Sequence, residues 1–152
     1  MERVSKANPN MHPDFIGSWI IKPTSLCDDL IDYFEEKKGK QKPGVSLSGL
    51  NTRIKNSMDI TIKPKEILLS GNEIFKKYFD ELFLCERDYV EQWPFINTMS
   101  QKFEIGSFNL QRYLPGQHFN NIHTERSGIG SLHRIFAFMT YLNDVQEGGS
   151  TY

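Results

Sequence analysis

The chain has 152 residues, 18 of them basic and 19 acidic, for a net charge of −1, and 38% of its residues are hydrophobic. That length suits one domain with one core, and the balanced charge argues against a dedicated nucleic-acid binder, which carries a basic excess. No apolar run is long enough to span a bilayer, and Met1 to Pro13 lack the apolar core of a signal peptide, so a cytoplasmic protein is expected, without membrane or nucleic-acid partners.

Residues 1–13 read as a loose N-terminal arm. Phe15 to Ile21 reads as a short strand or an extended lead-in, punctuated by Pro23. A helix is predicted from Ser25 to Lys38. Thr24 or Ser25 caps it, Asp28 and Asp29 favour its positive first turn, and Gly39 stops it. Leu26, Leu30, Ile31 and Phe34 recur at helical spacing, which makes one face apolar. Gly39 to Ser57 is polar and reads as a long loop with a short strand near Val45 to Leu47. Met58 to Ile62 alternates like a half-buried strand.

A second helix is predicted from Asn72 to Gln92, with an apolar stripe of Ile74, Phe75, Tyr78, Phe79, Leu82, Phe83 and Tyr89, ended by Pro94. Cys27 and Cys85 fall inside the two helices and read as small buried apolar residues rather than a disulfide. Beyond Pro94 the pattern turns to strands, at Phe103 to Leu114 and again at Arg134 to Asn143. Turn residues follow each, Pro115-Gly116 and then Gly148-Gly149. Two helices followed by a β-rich half predict an α+β fold.

Between those strands lies His123-Thr124-Glu125. On an extended strand end, residues two apart point to one side, so this imidazole and carboxylate can share a metal. A mononuclear iron oxygenase uses two imidazoles and one carboxylate on one face of the metal. By itself His-x-Glu is a weak signal.

Its surroundings are more specific. Asn109 to Glu125 reads NLQRYLPGQHFNNIHTE, and Arg134 to Tyr152 reads RIFAFMTYLNDVQEGGSTY. The order Tyr113, Pro115-Gly116, His123/Glu125, Arg134, Tyr141-Leu142-Asn143-Asp144 and Gly148-Gly149-Ser150-Thr151 resembles the prolyl 4-hydroxylase-like branch of the 2-oxoglutarate/Fe(II)-dependent oxygenases. The resemblance is specific over Asn109 to Tyr152 and softer over Phe15 to Gln92. It implies a partial double-stranded β-helix (jelly-roll, cupin-like) buttressed by the N-terminal helices, with residues 14–152 forming one oxygenase domain. It also implies Fe(II), 2-oxoglutarate as co-substrate, ascorbate as a support of activity, and a peptide or protein substrate containing proline.

By the same resemblance His123 and Glu125 are metal ligands, and Tyr113, Met139, Tyr141 and Thr151 line the co-substrate pocket. Arg134 reads as a partner in a structural ion pair or a backbone contact rather than a catalytic residue. Glu125 departs from the usual Asp by one methylene. The family's second imidazole, and the Lys or Arg that pairs with the far carboxylate of 2-oxoglutarate, would lie past Tyr152, so the domain reads as lacking its C-terminal strands. His12, His118 and His133 are the other candidates for a third ligand. Two further readings stay open: a non-catalytic binding or structural module of the same fold, and a zinc-dependent hydrolase.

Overall fold

The computed structural model describes residues 1–4, 15–46, 48–100 and 102–149. Contacts gather the chain into two units, residues 1–33 with 62–108 and residues 34–61 with 109–152.

In the first unit, β1 (Glu2–Arg3) pairs antiparallel with β2 (Trp19–Ile20), Arg3 opposite Trp19. Helix α1 runs from Ser25 to Glu36; it buries Leu26, Leu30 and Phe34, as the helical spacing predicts, and also Tyr33, while Ile31 is only half-buried. It ends before Lys38. Gly39 lies in a following turn of 3-10 helix, Lys38–Lys40, rather than in a left-handed cap.

Helix α2 (Glu73–Gln92) buries Phe75, Phe79, Leu82 and Cys85 along one stripe. Phe83, predicted inside that stripe, is 42% exposed. Phe75 is fully buried and packs edge-on against Tyr33 at 4.8 Å and Phe108 at 5.5 Å, the tilted geometry that aromatic quadrupoles prefer. Burial of such a ring stabilises the fold by roughly 1.5–3 kcal/mol.

Asn72 precedes α2 but does not cap it with its side chain. Its amide oxygen instead accepts the Tyr33 hydroxyl at 3.0 Å, and its amide nitrogen donates to the Glu66 carbonyl at 2.6 Å. The helix stops before Pro94, which opens a 3-10 turn, Pro94–Thr98. The apolar surroundings of Cys85 push its thiol pKa up, the behaviour of a packing residue. Cys27 is only half-buried, and both thiols are free.

β3 (Lys42–Pro43), β5 (Met58–Ile62) and β6 (Phe108–Arg112) form a three-stranded sheet with β5 in the middle. β4 (Lys55–Asn56) pairs antiparallel with β7 (His118–Phe119). The β-branched run at the end of β5 suits a pleated strand. Ile60 and Ile62 are buried with exposed Thr61 between them, as the half-buried reading expects, while Asp59 is buried on the other face. Arg112 leaves β6 to pair with Glu35 at 2.7 Å, its guanidinium 5.3 Å from the Phe34 ring centre.

The class is α+β. Its strands form three small sheets, and the expected double-stranded β-helix goes beyond what these sheets display. Three strand readings change. Phe103 to Leu114 shortens to β6. At Val45 the chain has no strand; an isolated bridge joins Ser46 to Gly49, and Leu47 lies outside the described residues. Arg134 to Asn143 forms no ladder. Propensity for a pleated strand becomes a strand only where another strand accepts its hydrogen bonds, and single-strand patterning cannot supply that neighbour. No helix among the described residues is long and apolar enough to cross a membrane.

Candidate functional site

The site is assembled on the short β4–β7 ladder. Lys55 pairs with Phe119 and Asn56 with His118, and the Asn120 amide extends the ladder by donating to the Ile54 carbonyl at 3.0 Å. The chain then leaves regular structure, so His123-Thr124-Glu125 lies in a loop ending in a turn, not on a strand end as expected.

The His123 ring lies on the Phe119 ring, centroids 4.8 Å apart and tilted by 31°. Nδ1 of His123 is 2.9 Å from the Asn121 carbonyl oxygen, and Nε2 is 3.3 Å from Glu125 Oε1. The other carboxylate oxygen, Oε2, accepts from Arg134 Nη1 at 2.7 Å, the ion-pair alternative of the two structural roles expected of Arg134. A carbonyl only accepts, so it assigns the proton to Nδ1. A neutral imidazole so fixed turns a lone pair, not a proton, toward Oε1. A proton or a metal cation shared between Nε2 and Oε1 resolves that contact.

These donors suit Fe(II), which takes imidazole nitrogen and carboxylate oxygen. A carbonyl behind Nδ1 and a guanidinium behind Oε2 are the kind of outer contacts that orient metal ligands. In a two-imidazole, one-carboxylate site they would account for two of the three protein positions. Among the described residues no three His, Cys, Asp or Glu side chains gather to hold a metal, so neither His118 nor His133 supplies the third position. His118 instead sets its Nε2 3.3 Å from the Arg53 carbonyl. His12 and Thr151 lie outside the described residues.

Tyr113 is 39% exposed. Its hydroxyl donates to Gln111 Oε1 at 3.1 Å, so its partners are in the sheet rather than at His123 or Glu125. Partial burial raises the phenol pKa above its ordinary value. A hydrogen bond with Ser57 offsets part of that rise, and the negative charge of Asp59 adds to it. Met139 and Tyr141 are both more than half exposed.

A second cluster in this unit escaped the sequence reading. Lys55, Ser57 and Asp59 are all buried. Lys55 Nζ donates to Asp59 Oδ2 at 2.6 Å, and the Ser57 hydroxyl donates to Asp59 Oδ1 at 2.8 Å. Gln111 Nε2 reaches Oδ2 at a long 3.5 Å. The signal was available: polar residues at i, i+2 and i+4 share one face of an extended chain. It was obscured because Gly39 to Ser57 as a whole has loop composition.

No protein-family model matches the chain, and no solved structure matches it. Among curated proteins, one stretch of 68 residues is 38% identical to "Probable prolyl 4-hydroxylase 9" of Arabidopsis thaliana. The likeness is to a prolyl 4-hydroxylase. It covers 42% of this chain and 24% of that protein, so the chain matches about a quarter of the relative's length. A likeness of that extent supports a distant relationship to the prolyl 4-hydroxylases.

Proposed function

We propose that the chain carries part of a 2-oxoglutarate- and Fe(II)-dependent dioxygenase domain that hydroxylates a peptide or protein in the manner of prolyl 4-hydroxylases. The observation that carries this reading is the pairing of His123 and Glu125, with Nδ1 held by a carbonyl and Oε2 held by Arg134. The match to a prolyl 4-hydroxylase supports it independently. In this reading the small sheets belong to a jelly-roll, and residues 14–152 act as one oxygenase domain.

When bound, iron and 2-oxoglutarate would supply the oxygen activation that no side chain can perform. His123 and Glu125 would hold the metal and Arg134 would orient Glu125. Tyr113, Met139, Tyr141 and Thr151 would line the co-substrate's surroundings, with ascorbate as a supporting reductant. Lys55 and Arg134 are already committed to Asp59 and Glu125, so the cation that meets the far carboxylate is not one of these two.

Titration of the chain with Fe(II) or its Co(II) surrogate under anaerobic conditions tests the metal reading. Metal should bind the wild type, and His123→Ala and Glu125→Ala should each weaken it by more than the roughly tenfold to hundredfold that losing an outer contact costs. Equal binding by all three proteins would refute it. Succinate release dependent on 2-oxoglutarate tests turnover. Metal binding without it favours a non-catalytic module of the same fold, and preference for zinc favours a hydrolase.

A further inference from the structure

The Lys55–Ser57–Asp59 cluster is costly for a core. Lys55 and Asp59 side chains are only 5% and 9% exposed, and a buried ion pair commonly adds less stability than apolar residues of the same shape would. The cluster is also tightly closed. A Cβ placed on Gly44 would lie 2.1 Å from Ser57 Oγ and 2.9 Å from Lys55 Cε, so only glycine lets the backbone seal it at that point. The Gly44 amide donates to the Ser57 carbonyl at 2.9 Å, holding that lid in register.

Two arms leave this buried pair, and each ends on a residue of the candidate site. On one side, Asp59 meets Gln111, whose amide oxygen accepts the Tyr113 hydroxyl. On the other, Lys55 Nζ sits 5.5 Å from the centre of the Phe119 ring, and that ring packs on His123. The pair therefore joins a pocket phenol to a metal-ligand imidazole through one hydrogen-bonded arm and one stacked arm.

We infer that Lys55, Ser57 and Asp59 are positioning residues, a buried polar hub that orients the Tyr113 phenol through Gln111 and the His123 imidazole through Phe119. Their part in co-substrate binding rests on the proposed oxygenase reading; the orientation of the phenol does not. A fully apolar hub would leave the Gln111 amide and the phenol free to rotate. The buried carboxylate fixes which way the amide faces, with its nitrogen toward Asp59 and its oxygen toward Tyr113.

The test uses the full chain and two variants that keep the buried charge balanced. Lys55→Met/Asp59→Leu removes the pair together, and Ser57→Ala removes only the hydroxyl. The phenol of Tyr113 is titrated by ultraviolet difference against Tyr113→Phe, which isolates it from the other tyrosines. The double variant removes the Asp59 charge, which disfavours ionisation of the phenol, and Lys55, which is not among the influences on it, so the phenol should ionise at lower pH than in the wild type. Without the Ser57 hydroxyl, it should ionise at higher pH.

Opposite shifts in two folded variants are what a wired hub gives and a packing role does not. Identical titration in the wild type and both variants, with circular dichroism unchanged, overturns the proposal. In a second arm, 2-oxoglutarate affinity of the Mn(II)-loaded chain should fall about tenfold in the double variant. Opposite titration shifts with no 2-oxoglutarate binding even by the wild type would remove the co-substrate reading and leave the hub standing.

Discussion

In the unit formed by residues 1–33 and 62–108, the deepest side chains are Phe75, Leu30 and Ile62, and the aromatic contacts run from Tyr33 through Phe75 to Phe108 and Phe79. In the unit formed by residues 34–61 and 109–152, Lys55, Ser57 and Asp59 are buried alongside Phe34, Ile60 and Leu110. The first core is mainly an apolar stripe, with one buried hydrogen bond from Tyr33 to Asn72 and no buried charge pair among the described residues. The second holds a charge pair that needs specific partners. A residue's burial thus has two meanings here: in the first unit it is the source of stability, and in the second it keeps a polar arrangement dry.

The largest effect expected from that contrast is Phe75→Ala. It leaves a ring-sized cavity in a site with no exposure and should cost about 4 kcal/mol in denaturant unfolding; a loss below about 1 kcal/mol would show that the helical core does not carry that unit's stability. Next is Asp59→Ala, which strands the buried Lys55 cation and should cost about 3 kcal/mol, whereas Lys55→Met/Asp59→Leu should lie within about 1 kcal/mol of wild type. Equal losses in the single and double variants would erase the distinction between the two cores.

The smallest effect is at Tyr113. Burial raises its phenol pKa in the folded state above the unfolded value near 10, so the stability tied to the neutral phenol is complete below that value. It is lost as pH rises through the raised folded value. Thermal melts from neutral to strongly alkaline pH should therefore fall less steeply for Tyr113→Phe than for wild type. Parallel slopes would mean that the fold does not hold the phenol neutral.

Both helices were legible from residue order alone. Leu26 and Leu30, then Phe75, Phe79 and Leu82, recur at the helical period, and that period is a local property of the chain. Met58–Ile62 was legible for the same reason at period two, and Pro94 marked the end of α2 through its missing amide hydrogen. The His-x-Glu pair was legible as a pair of residue types, although its setting in a turn was not.

Residue periodicity named the two helices, the central strand of the sheet and the α+β class, while His123 and Glu125 were named by the resemblance around them. Three things required the tertiary structure. Arg134 to Asn143 has strand composition but no ladder, because a strand is completed by a neighbour that its own residues do not encode. Lys55 looks like a loop charge and Asp59 like the polar face of a strand until Gly44 and Phe119 close over them, because burial depends on what folds back from far along the chain. The carbonyl of Asn121 and the guanidinium of Arg134 decide which atoms of His123 and Glu125 face each other, since hydrogen-bond direction is set by partners in space.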